Sequence, residues 1–323
     1  MRMMCDRFGS QFRWMLSAAC AAVIAAMALP ARAIIVYDDT GGSPAGVQNT
    51  SAAPDGVGSF VGNYNGGGGV LVAPDVVLTT LHLGPAAGGT FVYQGQSYNV
   101  DFAEQIGNTQ IALMHLSTPT SSAGAQLYSS DPGVAQSAIL VGYGGPAGTA
   151  FDGNSATQHG FNWTGGTANQ TWGTTTTDAT VYADGNNATY LGYAFKPVDG
   201  SSIYSGGDSG GGMFVDDNGT WKLAGVAWSV DGYFTQGSGD PNRAPDAVAA
   251  IYDVPGANLF TLDDNSQFVP ATGFEHGYAS QIAPDAATIE GEIARLTTVP
   301  EPASLAILGM GAGLLMGRRR RRA

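Results

Sequence analysis

Cysteine is almost missing from this chain. Cys5 and Cys20 are the only two in 323 residues, and both fall in the first 33, so the body has neither disulfide nor thiol chemistry to draw on. The 266 residues from 34 to 299 must therefore be held by packing, and that length suffices for one large or two small cores. Cationic side chains are scarce as well. In that body Lys196, Lys222, Arg243 and Arg295 stand against 24 acidic residues, a net charge of −20. Such a surface excludes nucleic acid and anionic lipid as partners. Long hydrophobic runs are also lacking: the two apolar stretches, Met15 to Leu29 and Ala303 to Gly317, are each 15 residues and sit at the ends.

Those ends read as addresses. Arg2, Arg7 and Arg13 precede the first apolar stretch and Ala31-Arg32-Ala33 closes it, the pattern of a Sec signal peptide (1–33) removed by signal peptidase after Ala33. The mature chain then begins at Ile34. At the other end Val299-Pro300-Glu301-Pro302 leads into the second apolar stretch and then Arg318 to Arg322. As a helix that stretch would span about 22 Å, short of a hydrocarbon core of about 30 Å. The segment 298–323 resembles a PEP-CTERM sorting signal. The resemblance implies a Gram-negative bacterium, export, transient inner-membrane anchoring with the arginines on the cytoplasmic side, cleavage by an exosortase, and release to the envelope or beyond.

Between the ends, Gly, Thr, Ser and Asn dominate, and apolar or β-branched runs of four to eight residues recur between Gly, Pro and Asp clusters. This is an all-β pattern. Gly69–Val72, Val76–Leu78, Thr90–Tyr93, Ile111–Met114 and Ala138–Val141 are expected strands. Residues 153–190 read as long surface hairpins, and Asp216-Asp217-Asn218-Gly219 as a tight hairpin turn. One helix is expected late, opened by Pro284-Asp285 and carrying Ile289, Ile293 and Leu296 at helical spacing.

Chemistry concentrates in two strings. In Gly207-Asp208-Ser209-Gly210-Gly211-Gly212 a serine flanked by glycines suits a tight turn where backbone N–H groups converge, as a nucleophile beside an oxyanion hole requires. Upstream, Gly68 to His82 reads as two short strands separated by Pro74-Asp75. They deliver His82 at the end of the second, where an imidazole can serve as general base. His115, His159 and His276 are scattered, with no spacing of a metal site, and no cofactor is expected.

Together these strings resemble the chymotrypsin/trypsin-like serine peptidase family over most of residues 34–297. The resemblance implies two packed antiparallel six-stranded β-barrels and a short C-terminal helix, with an N-terminal barrel in 34–130 and a C-terminal barrel with the helix in 131–297. It makes Ser209 the nucleophile, His82 the base, and the N–H groups of Gly207 and Ser209 the oxyanion hole. It also puts Ile203 at the base of the specificity pocket, with Ala227, Trp228 and Ser229 along the substrate. An apolar floor would not select Lys or Arg, and Ser229 at the wall would narrow the entrance and favour small or medium apolar side chains. Residues 230–273 would be an insertion beside the pocket, and a free Ile34 ammonium would pair with Asp208.

The sequence departs from the family at the triad acid. The expected Asp-Ile-Ala-Leu is Gln110-Ile111-Ala112-Leu113. Loss of that charge in a serine protease costs roughly 10⁴ in turnover, and Asp101 or Glu104 is a conceivable substitute. Two functions follow: a secreted serine endopeptidase acting on protein or peptide substrates, or an impaired homologue that binds protein or polysaccharide.

Overall fold

The computed structural model describes residues 34–38, 45–47, 53–145, 147–152, 157–163, 169–183, 188–231, 235–236, 249–256, 259–262 and 268–297. The expected signal peptide and sorting tail lie outside them.

Two strands, β1 (Ile35–Asp38) and β2 (Ala45–Val47), precede a closed barrel of β3 (Val61–Tyr64), β4 (Gly67–Ala73), β5 (Val76–Thr80), β6 (Thr90–Tyr93), β7 (Gln96–Gln105) and β8 (Ile111–Leu116). Next come β9 (Ser137–Gly142), β10 (Ala147–Phe151), β11 (Gly160–Trp163), β12 (Thr171–Ala183), β13 (Thr189–Ala194), β14 (Ser202–Ile203), β15 (Gly212–Asp217) and β16 (Thr220–Val230). After short strands β17 (Thr235–Gln236), β18 (Ala249–Ile251), β19 (Leu259–Leu262) and β20 (Phe268–Pro270), β21 (His276–Gln281) leads to α1 (Ala286–Thr297). The second barrel closes in the order β12-β13-β21-β16-β15-β9. The fold is thus two closed six-stranded antiparallel barrels with one C-terminal helix.

Strand periodicity explains why the barrels pack together. Along β9, Ala138 and Leu140 point into the second barrel while Ile139 and Val141 point to the seam. In β15, Met213 and Val215 face inward and Phe214 faces the seam. From the first barrel, Val70, Val72 and Leu78 meet them, whereas Leu71 and Val77 fill their own barrel beside Phe91 and Met114. Both faces of β4 and β5 are therefore covered, which is why their sequences are almost continuously apolar. Ile289, Ile293 and Leu296 of α1 close the same seam cluster.

Two expectations need correction. β1 pairs with β14, Ile35 opposite Ile203, so the first strand joins the side of the second barrel and not the barrel it precedes. The segment read as surface hairpins contains β12, a wall of the second barrel paired with β9 from Thr171 to Thr176. Its inward positions are Thr171, Gly173, Thr175 and Thr177; threonine and glycine keep the period of two without supplying the apolar signal by which strands are recognised. The hairpin at Asn218-Gly219 has φ of 55° and 87°, both positive as its turn type requires. The expected insertion contributes β18, which pairs with β11 and so braces the segment carrying Trp163.

Because the seam cluster draws on both barrels, they should unfold as one. Phe214→Ala should cost about 3–5 kcal/mol and leave a single coincident transition by tryptophan fluorescence and far-ultraviolet circular dichroism. Two separated transitions would contradict a shared core.

Candidate active site

His82 is placed by the end of β5. Thr80 is the last strand residue; the chain then turns through a single 3-10 turn, Leu81–Leu83, ended by Gly84 at φ 64°. The Leu81 N–H donates to the Gln110 carbonyl, 2.7 Å, which fixes the turn against the start of β8. The imidazole consequently hangs over the seam, reaching across to the second barrel.

Ser209 lies on the turn between β14 and β15. That turn is pinned from two sides: the Gly68 N–H donates to the Ser209 carbonyl at 2.6 Å, and the Gly210 N–H donates to the Ala227 carbonyl of β16 at 2.9 Å. Glycine is obligatory at 210. Its φ is +80°, and a Cβ there would lie 2.0 Å from the Gly68 carbonyl oxygen. At Gly68 a Cβ would meet the Gly211 backbone at 2.8 Å. The glycine run at the start of β4 is thus what lets the first barrel approach the serine turn.

The consequence is a direct contact: His82 Nε2 stands 2.7 Å from Ser209 Oγ. Partial burial lowers the His82 pKa below its ordinary value, so the ring is a neutral acceptor at and somewhat below neutral pH. The N–H groups of Gly207 and Ser209 have no acceptor among the described residues.

On the other side of the ring, Nδ1 meets Thr80 Oγ1 at 3.1 Å. The Gln110 side chain, expected there, makes no hydrogen bond to His82; only its backbone engages the histidine turn. Nor do the two acids weighed as substitutes reach it. Asp101 bonds His115 at 2.6 Å and Glu104 pairs with Arg295 at 3.0 Å. Thr80 was missed in the sequence, although its position two before the histidine at a strand end puts both side chains on one face.

Asp208 is wholly buried behind the serine. Its carboxylate accepts N–H donors from Gly144 at 2.7 Å and Ser205 at 2.6 Å, the Ser205 hydroxyl at 3.1 Å, and the Ile34 N–H. Burial raises its pKa from 3.8 to about 6 because these donors, all neutral, only partly replace water.

A cleft of about 310 Å³ opens beside the pair, walled by Trp163, Tyr204, Ala227, Trp228, Ser229 and Val230. Ile203 is not on that wall. It is fully buried in the core of the second barrel, opposite Ile35, and Tyr204 beside it faces the cleft. The wall is therefore aromatic where a plain aliphatic floor was expected. Trp163 was not anticipated, since it comes from the segment read as a surface hairpin. Trp228 is stacked on Tyr190, ring centroids 4.1 Å apart.

Two closed antiparallel barrels with a histidine from one and a serine from the other at their seam define a trypsin-like double-barrel architecture. Solved structures similar to the chain include the Rv3671c protein of M. tuberculosis in an inactive form, at 12% identity over 80% of this chain and 98% of that one, TM-score 0.41. Neuropsin, a serine protease of mouse brain, is similar at 16% identity over 70% and 88%, TM-score 0.41. Residues 298–322 match the PEP-CTERM protein-sorting motif, which indicates export to the cell envelope. No curated protein matches the chain. Among the described residues no helix is long and apolar enough to cross a membrane.

Gly68→Ala tests the close approach of the barrels. The added methyl should push the serine turn away, lower stability by about 1–3 kcal/mol and lengthen the contact between His82 and Ser209. The mutant should then react with a fluorophosphonate at least about tenfold more slowly, because an unpaired serine is a weak nucleophile. Unchanged reactivity would show that the glycine run does not set this geometry.

Proposed function

We propose that the protein is an exported serine endopeptidase that cleaves peptide bonds through an acyl-enzyme at Ser209. The observation that carries this reading is the 2.7 Å contact between His82 Nε2 and Ser209 Oγ at the mouth of an aromatic cleft. Ser209 Oγ attacks the scissile carbonyl as its proton passes to His82 Nε2, and the Gly207 and Ser209 N–H groups hold the developing oxyanion. The imidazolium then protonates the leaving amine. Water, deprotonated by the same nitrogen, hydrolyses the ester and restores the serine. Among the described residues the cleft offers no acidic side chain to attract Lys or Arg, and specificity is non-basic.

Among the described residues no carboxylate bonds His82, which supports the second reading, an impaired homologue that binds protein or polysaccharide without turning it over. Replacement of the serine separates the two. Ser209→Ala should lose all cleavage of a casein-type substrate and all fluorophosphonate labelling while its thermal stability stays within about 0.5 kcal/mol of the parent. Labelling of the parent without casein turnover would leave the binding module as the function, and proteolysis by the mutant would end the peptidase reading.

Export and activation are joined in the same proposal. Ile34 is fully buried, its N–H points at Asp208, and its φ is +24°. A β-branched residue is strained there. That φ is a torsion about the bond to Ile34 Cα measured from the preceding carbonyl, so cutting after Ala33 abolishes the constraint and leaves an ammonium beside the carboxylate. Signal peptidase would thus complete the site, and the apolar tail 303–317 would anchor the chain until an exosortase releases it.

The pH dependence has a definite sign. A carboxyl whose folded pKa is about 6 and whose ordinary value is 3.8 favours folding when protonated. That advantage is lost as pH rises from about 4 through 6, costing about 3 kcal/mol above pH 7 at 1.36 kcal/mol per unit. A free Ile34 ammonium offsets this cost; an extended N-terminus does not. In thermal unfolding, the chain beginning at Ile34 should be more stable than one carrying two extra residues at pH 7.5, with the gap closing near pH 4. A gap independent of pH would disconnect Ile34 from Asp208.

A further inference from the structure

We infer that Thr80 is the positioning residue of His82, a neutral hydroxyl standing where a carboxylate would fix the ring, and that it sets the tautomer of the base. The inference rests on the assignment of His82 as base, but its central measurements do not require the protein to be active.

The surroundings of the four histidines carry the case. His115 bonds Asp101 at 2.6 Å, His159 bonds Asp253 at 2.8 Å, and His276 lies 3.3 Å from Asp231 and 3.4 Å from Asp178. His82 alone has a hydroxyl on each ring nitrogen, Thr80 at 3.1 Å and Ser209 at 2.7 Å. Among the described residues of a chain so rich in carboxylates, the one histidine that touches the serine has none.

A hydroxyl differs from a carboxylate in two ways. It carries no charge, so it does not stabilise the imidazolium, and burial is left to lower the His82 pKa unopposed. It also both donates and accepts. When Thr80 accepts from Nδ1–H, Nε2 is bare and can take the serine proton. When Thr80 donates to Nδ1, the proton sits on Nε2 and faces Ser209 Oγ, which blocks the transfer. Thr80 Oγ1 has no other partner among the described residues, so nothing outside the pair forces the first arrangement. A carboxylate only accepts, and would force it.

Thr80 itself is well held. It is fully buried at the end of β5, paired with Ile111 of β8, and the 3-10 turn returns His82 over it. Its rotamer is restricted by β-branching, so the ring is oriented even though its tautomer is shared.

The test uses ¹⁵N-histidine NMR on the chain beginning at Ile34, with Thr80→Val, Thr80→Ser and Thr80→Asp. The parent should show His82 as a mixture of neutral tautomers with a pKa below 6.5. Thr80→Val, nearly the same shape without the hydroxyl, should change the tautomer ratio, and where casein is turned over it should lower kcat at least about tenfold with KM unchanged. Thr80→Ser should restore both. Thr80→Asp should shift the ring to Nδ1–H, raise the His82 pKa, and so move the acid limb of any activity to higher pH. If Thr80→Asp does not fold, Thr80→Val and Thr80→Ser decide. A tautomer ratio unmoved by Thr80→Val would overturn the assignment. Movement of the tautomer ratio in a protein without proteolysis would uphold Thr80 as the positioning residue while the peptidase reading fails.

Discussion

Everything at this site depends on how closely the first barrel's glycine edge can approach the serine turn. The hydrogen bond from the Gly68 N–H to the Ser209 carbonyl, 2.6 Å long, exists only because neither Gly68 nor Gly210 carries a side chain. Behind it the seam of Val70, Leu78, Ile139, Val141 and Phe214 supplies the apolar burial that keeps the barrels together. The glycines decide how near the barrels come and the seam decides that they stay. The reach of His82 to Ser209 is the outcome of both, since each residue belongs to a different barrel.

Asp208 is the second constraint, and it is in tension with the first. The turn needs a buried acceptor to gather the Gly144 and Ser205 N–H groups, yet full burial makes the charged form expensive. Neutral donors reduce that cost without removing it. The Ile34 N–H is one of them, and it sits at the end of a strand whose own pairing with β14 carries it to the spot. The strand therefore does two things at once: Ile35 packs against Ile203 in the core, and the residue before it is brought to the carboxylate. Ile203 has its structural reason in that pairing, which is why it cannot also serve as the floor of the cleft.

Much of this was legible in the sequence, and the parts that were not have physical reasons. The strands β4, β5, β8 and β9 announce themselves because both their faces are covered by apolar neighbours. The histidine and serine strings stand out because a serine flanked by glycines marks a tight turn and the histidine closes two short apolar strands. Strand β12 did not show, since its inward face is threonine and glycine. Trp163 was hidden for a related reason, being placed by pairing to a strand some ninety residues away. The family position of the third partner is held by Gln110, whose side chain does not bond the ring. The partner in the structure, Thr80, is given by local geometry: two residues back along the same chain, at the point where a strand passes into a 3-10 turn.

The local origin of that partner has a consequence for how the site works. A carboxylate delivered from a separate strand adds a charge to the base and makes its strength depend on that strand's position. A hydroxyl from the same strand end moves with the histidine, so ring orientation survives small shifts between β5 and β8, and only the contact to Ser209 remains sensitive to how the barrels dock. What is given up is electrostatic: an uncharged partner stabilises the imidazolium of the transition state far less than a carboxylate does. The ring stays neutral to lower pH, since burial depresses the His82 pKa and no anion among the described residues raises it. Asp208, by contrast, favours the folded chain most when protonated. The two titrations therefore pull apart in acid: protonation of the buried ring costs stability, while protonation of Asp208 relieves the cost of its own burial.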